Sequence, residues 1–307
     1  MAMRWAGIFN IMATPFTADG RLDQAGIPLL ADRLLGAGVQ GLTILGIAGE
    51  AHRLSDAERQ RVVERVVKEV GGRVPVVVGT GAGGTDQAIL LSRMAQDAGA
   101  SALMVAPPPR VSNQDWIREY YQALAAATTV PLVLQDEPVT TQVPMPAAFL
   151  AQLAAEVPRV EAVKLEDAPT PPKVSRLKAL AGDRVAIFGG LGGVFFLEEL
   201  FRGAAGAMTG FAYPEILLEV YEHFTAGRRR RAIEVFYRYL PIIRFEGQPG
   251  ATPGTGVGIR KEILRRRGWL RTAHVRPPAP KLDPGTLDEL SEMMEVLGLG
   301  PEYRREE

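Results

Sequence analysis

The segment ALMVAPPPRVSNQDWIREYYQALAAATTVPLVLQ, residues 102–135, holds in order an apolar run, a proline-rich turn, an amphipathic stretch and a second apolar run. The two runs, 102–106 and 132–135, are short and nearly continuous in apolar residues, as parallel strands covered on both faces are. Between them Trp116, Tyr120 and Leu124 recur at helical spacing behind Ser112, a residue type that caps helix N-termini. Strand, helix and strand in that order make a crossover unit with parallel neighbours.

The unit repeats in both directions. Further strands are predicted at residues 8–13, 42–46, 76–79, 162–165, 185–188 and 207–209, which brings the total to eight. Ser55 with Glu58 forms a capping box ahead of Val62, Val66 and Val70, and Thr85 is an N-cap candidate ahead of Ile89 and Met94. Eight such units close a barrel better than they fill an open sheet. The expected fold is therefore α/β, a (β/α)8 TIM barrel over residues 1–212. Helices at 216–224, 232–245, 259–267 and 286–297 follow as a C-terminal layer, residues 213–307, packed on the barrel as one structural unit. The Gly/Pro-rich piece 247–258 reads as a loop.

Composition narrows the function. A chain of 307 residues, 47% hydrophobic, can bury a large core, and its formal net charge of zero offers no global field for nucleic acid. The basic runs 228–231 and 265–267 sit on helical stretches whose other face is apolar (Ile233, Phe236, Leu240), so they read as solvated or subunit-contact faces. No apolar run reaches the ~18 residues of a membrane span, and residues 1–7 lack the pattern of a secretory signal. With no cysteine, disulfides and thiolate metal sites are excluded, and a reducing cytoplasm suits the chain. The three histidines, His52, His223 and His274, lack ligand spacing, so no metal site is expected.

Of six lysines, five fall in predicted helices or loops, whereas Lys164 lies within the sixth strand, near its C-terminal end. In a barrel that end faces the active-site mouth. Burying an ammonium favours the free amine, and a free amine can attack a ketone to form an iminium. The competing reading is a lysine paired with Glu166 or Asp167. Gly46-Ile47-Ala48-Gly49-Glu50 ends the second strand, where successive N–H groups can cradle a carboxylate or simply make a turn. Gly79-Thr80-Gly81-Ala82-Gly83-Gly84 fits a dinucleotide fingerprint in form, but no acidic residue ends the next strand, so a tight turn suffices. Gln135-Asp136-Glu137 ends the fifth strand and Glu166-Asp167 the sixth; such carboxylates can move protons or hold loops. Gly190 and Thr209, at the ends of strands seven and eight, border the same space.

Together these residues resemble the dihydrodipicolinate synthase / N-acetylneuraminate lyase family over nearly the whole chain. The anchors are Ala13-Thr14-Pro15-Phe16, Gly46-x-x-Gly49-Glu50, Val78-Gly79-Thr80-Gly81 and Val163-Lys164. The resemblance implies a barrel with C-terminal helices, a homo-oligomer (dimer or tetramer), and a Schiff base between Lys164 and a small 2-oxo acid. It implies no cofactor and no metal, because the iminium is the electron sink. It also exposes departures. Two hydroxyl residues usual inside the glycine motif are Ile47 and Ala48 here. The proton-shuttling tyrosine of strand five is Gln135, whose amide can orient and donate but not act as a base. The arginine with which synthases hold aspartate semialdehyde aligns with Thr140, and their cross-dimer tyrosine aligns with Pro108.

The wording at 46–51, 105–109, 134–136, 164–167, 206–211 and from Gln248 to Lys261 is similar to one branch, the L-2-keto-3-deoxyarabonate dehydratases, although Glu137 stands where that branch has a tyrosine. The expected activity is dehydration of a 2-keto-3-deoxy sugar acid. Lys164, Gln135 and Glu137 are the catalytic candidates, and Ile47, Ala48, Gly49, Gly190 and Thr209 contact the substrate, with the Ala48 and Gly49 N–H groups on its carboxylate. Glu137, Glu166, Tyr213, a water or the substrate's own carboxylate are candidate proton carriers. A pyruvate-dependent aldolase, a synthase-type condensation and a non-catalytic small-acid binder are the alternatives.

Overall fold

The structure, a computed structural model, describes residues 5–248 and 255–305. Strands β1 (Gly7–Ile11), β2 (Gly41–Ile44), β3 (Val76–Gly79), β4 (Ala102–Val105), β5 (Leu132–Asp136), β6 (Val160–Leu165), β7 (Ala186–Gly189) and β8 (Gly206–Thr209) pair in chain order. All neighbours are parallel and β8 returns to β1, so the barrel closes. Around it lie α1 (Gly26–Gly36), α2 (Asp56–Val70), α3 (Thr85–Asp97), α4 (Gln114–Ala127), α5 (Pro138–Thr141), α6 (Ala147–Glu156), α7 (Thr170–Ala181) and α8 (Phe196–Phe201). The next helix, α9 (Pro214–Thr225), packs on β1 and completes the ring. That leaves α10 (Arg229–Gly247), α11 (Thr255–Arg266) and α12 (Pro284–Val296) as the added layer, three helices instead of the four expected. Of the predicted loop at 247–258, residues 249–254 lie outside the described residues.

Strand alternation sorts the side chains into two cores. Phe9, Ile11, Val77, Ala102, Met104, Val133, Ala162, Phe188 and Met208 fill the barrel interior as one buried cluster. Their neighbours in sequence, such as Leu103, Leu132, Leu134, Val163 and Leu165, point outward and join the larger core beneath the helices. Two-sided burial is why the strands read as continuous apolar runs.

Local capping differs in detail. Ser55 and Glu58 do form the capping box of α2. Asn113, not Ser112, caps α4: its side-chain oxygen accepts from the N–H groups of Asp115 and Trp116. Thr85 is the first residue of α3, behind Gly84, and makes no cap bond. On α4 the buried stripe is Ile117, Tyr120, Tyr121 and Leu124, a full i, i+3, i+4, i+7 set, and Trp116 beside it is 63% exposed.

Candidate active site

Lys164 takes the inward position directly above Ala162 in β6, and Gln135 the one above Val133 in β5; the two are register partners. That register depends on an irregularity: Leu132 pairs with Val160 but Val133 with Ala162, so Glu161 is an extra residue in β6. Without this bulge Gln135 would face Val163, whose side chain points away from the barrel axis. Lys164 is only 2% exposed. It lines a cavity of about 230 Å³ at the C-terminal mouth, together with Gln135, Glu137, Glu166, Thr209 and others.

The amine is not alone there. Its Nζ lies 2.8 Å from Oε2 of Glu166, and the Gln135 amide donates to the same oxygen at 2.9 Å. The other Glu166 oxygen accepts a long 3.4 Å bond from the Leu191 N–H. Leu191 holds φ at 48°, a left-handed conformation uncommon for leucine. Gly190 makes room for this arrangement: a Cβ there would stand 2.4 Å from Glu166 Cγ. Gly190 is thus a spacer behind Glu166, and Leu191 and Gly192 form the cavity wall.

Glu137 caps the short helix α5, its carboxylate accepting the Thr140 N–H. It is buried, and burial pushes its carboxyl above the usual range; the charge of Glu166 adds to this, while the Thr140 bond and Lys164 oppose it. Ile47, Gln135, Glu137 and Thr140 also line a neighbouring cavity of about 300 Å³, so they form the partition between the two. Thr209 is buried at the end of β8, and its hydroxyl has no hydrogen-bond partner among the described residues.

The glycine motif after β2 forms a single 3-10 turn over Ile47–Gly49. Ile47 and Ala48 line the cavity, and their N–H groups make no hydrogen bond among the described residues. Gly49 departs from expectation. Its N–H is spent on Gly46 O at 3.0 Å and its carbonyl accepts from Thr14, so the free donor pair is Ile47 with Ala48 rather than Ala48 with Gly49.

Other candidates move out of the site. Asp136 and Asp167 both clasp Lys173 on the outer side of the strands. The Tyr213 hydroxyl donates to Gly300 O at 2.8 Å and its ring packs against Arg267, so it cannot serve as a proton carrier in the cavity. Lys261, expected to be an ordinary helix lysine, is fully buried and pairs with Glu50 while also donating to His274 O at 2.8 Å. Sequence reading missed Arg260 and Glu246, which line the cavity from α11 and α10. They lie more than a hundred residues after Gln135, on elements that look like plain surface helices until they are folded onto the mouth.

In (β/α)8 barrels the chemistry is carried by side chains at the C-terminal strand ends. The cavity around Lys164 opens there, which puts this protein among the barrel enzymes. It belongs to the dihydrodipicolinate synthetase family, whose sequence model matches residues 4–297, and it is a lyase of that family. The chain is similar to the L-2-keto-3-deoxyarabonate dehydratase of Azospirillum brasilense, 31% identical over 94% of this chain and 93% of that protein. It is also similar to the crystal structure of dihydrodipicolinate synthase from Rhodopseudomonas palustris, with 35% identity, a TM-score of 0.88, and coverage of 94% of this chain and 97% of that one. YagE, a prophage protein of the same family from E. coli K12 solved in complex with pyruvate, matches at 27% identity and TM-score 0.88 over 96% of this chain and 99% of its own.

Proposed function

We propose that this protein is a lysine Schiff-base dehydratase of a 2-keto-3-deoxy sugar acid, of the type of L-2-keto-3-deoxyarabonate. One observation carries the reading: a buried lysine lines the cavity with a carboxylate 2.8 Å from its nitrogen. The likeness to the Azospirillum dehydratase supports the substrate class. Thr140, in place of a cation for aspartate semialdehyde, speaks against the synthase condensation.

The chemistry balances on these groups. The Lys164 ammonium gives one proton to Glu166, and the amine adds to C2. The hydroxyl of the adduct takes that proton back and leaves as water, which produces the iminium. The iminium acidifies C3–H, and Glu166 accepts the proton to give an enamine. Collapse of the enamine expels the C4 hydroxyl, which takes a proton from Glu137 and leaves as water. A proton lost from C5 and one gained at C3, then enol-to-aldehyde tautomerisation, give a 2-oxo acid semialdehyde after hydrolysis returns Lys164. The free N–H groups of Ile47 and Ala48 hold the substrate carboxylate. Two carboxyl groups in different surroundings divide the work: Glu166 in contact with the amine as base, and Glu137, raised by burial, as acid.

The test is borohydride reduction in the presence of pyruvate, which adds a covalent mass at Lys164 that Lys164→Ala abolishes; an unmodified Lys164 refutes the assignment. Incubation with 2-keto-3-deoxyarabonate then yields the semialdehyde, whereas release of pyruvate would assign an aldolase. We further propose a homo-oligomer, which sedimentation of the full chain checks.

A further inference from the structure

Resting on that reading of Lys164, we infer that Arg260, held in place by Glu246, binds the terminal hydroxyl of the sugar acid and so selects a substrate with a neutral, hydroxylated tail. Arg260 projects from α11 into the wall of the same cavity and is 6% exposed. Its Nε donates to Glu246 Oε1 at 2.7 Å. Glu246 is itself fully buried, and its second oxygen is fixed by the Ala212 N–H at 2.9 Å. The carboxylate therefore sets the direction of the guanidinium.

The two terminal nitrogens of Arg260 have no hydrogen-bond partner among the described residues, although the side chain is buried. A guanidinium carries five N–H donors, and only the Nε–H is spent on Glu246, so the terminal N–H groups at the cavity wall are open to an acceptor on a ligand. One of these nitrogens lies 2.4 Å from where a Cβ on residue 210 would stand, so Gly210 lets the guanidinium tip settle over the end of β8. Thr209, next to Gly210 in the chain, lines the same cavity, and its hydroxyl also lacks a partner among the described residues. With the carboxylate on the β2 loop and C2 on Lys164 of β6, the remaining chain has Arg260 and Thr209 to reach.

Charge decides which acceptor fits. Lys164 and Arg260 are the cations lining the cavity, against the carboxylates Glu166 and Glu246, with Glu137 serving as the protonated acid. Glu246 already offsets Arg260, and the substrate brings one carboxylate of its own. A second one would enter among like charges, whereas a hydroxyl accepts from Arg260 and donates to Thr209 at no such cost. This cation enters from the C-terminal layer over β8, not from the loop after β5 that carries Thr140.

The experiment is a ladder of 2-oxo acids in borohydride trapping with the full-length wild-type protein. The acids are pyruvate, 2-oxopentanoate, 5-hydroxy-2-oxopentanoate and 2-oxoglutarate. The hydroxylated acid is expected to half-saturate trapping at a concentration about ten-fold or more below that of 2-oxopentanoate and of 2-oxoglutarate. In Arg260→Gln that preference falls to about two-fold or less, and Arg260→Lys keeps part of it. Equal half-saturation by the hydroxylated and plain acids in the wild type overturns the inference, as does tighter trapping of 2-oxoglutarate, or a preference that survives in Arg260→Gln. If Arg260→Gln does not fold, the wild-type ladder decides alone. Failure to trap any acid, pyruvate included, is a different result and overturns the Lys164 imine itself.

Discussion

Glu166 stands two residues beyond Lys164, yet its carboxylate folds back over the strand end to within 2.8 Å of the amine, with the Gln135 amide on the same oxygen. A residue that ends a strand would ordinarily follow its own loop. Here Gln135, the Leu191 N–H and the bare Gly190 combine to hold it over the cavity. The pairing that competes with catalysis in the sequence is the same contact that, in the proposed mechanism, supplies the base.

Glu166→Gln keeps the shape of that contact and removes the base. We expect kcat for dehydration to fall on the order of 10²–10⁴-fold, with substrate affinity changed far less. Gly190→Ala should produce a smaller loss in the same direction, because its Cβ displaces the Glu166 side chain. Steady-state kinetics of the two variants, beside thermal melts that report folding, check this.

Glu137 titrates above the ordinary carboxylate range because burial penalises its charge. An acid works only while protonated, so activity limited by Glu137 is full at low pH and declines as pH rises through its raised value. The kcat profile of wild type should show this alkaline fall. In Glu137→Gln the fall should disappear along with most of the rate; a profile unchanged by the substitution would remove Glu137 from the mechanism.

Glu199 lies under the β7 turn, 1% exposed, where burial pushes its carboxyl up to about 8. One oxygen accepts from Thr170 and the other has no partner among the described residues. The folded state keeps this proton up to about pH 8 while the unfolded chain releases it near 4.5, so folding binds more protons in between. Stability from this group is complete below pH 4.5 and is lost as pH climbs to about 8, on the order of a few kcal/mol. Denaturant melts should find Glu199→Gln more stable than wild type at pH 8 and little different at pH 4.5.

Lys261 and Glu50 form a buried pair that ties α11 to the loop after β2. Lys261→Met removes one partner and leaves a buried carboxylate, at a cost of about 3–5 kcal/mol. Chemical denaturation should record that loss, with the change in midpoint and not in slope. A variant as stable as wild type would show that Arg53 and the Arg276 N–H satisfy Glu50 alone.

What the chain determines by itself is the alternation of short apolar runs with 3.6-periodic stretches, because both periods are local consequences of backbone geometry. From that follow the eight strands, the barrel, and the place of Lys164 and Gln135 at strand ends. Only the tertiary structure decides what faces them. The Glu161 bulge sets Gln135 against Lys164, and the Ile47 and Ala48 N–H groups, not that of Gly49, are left free. Arg260 with Glu246 reaches the cavity from helices that sequence periodicity describes only as amphipathic. Register and approach between distant elements depend on contacts across the whole chain, and a local pattern carries no record of them.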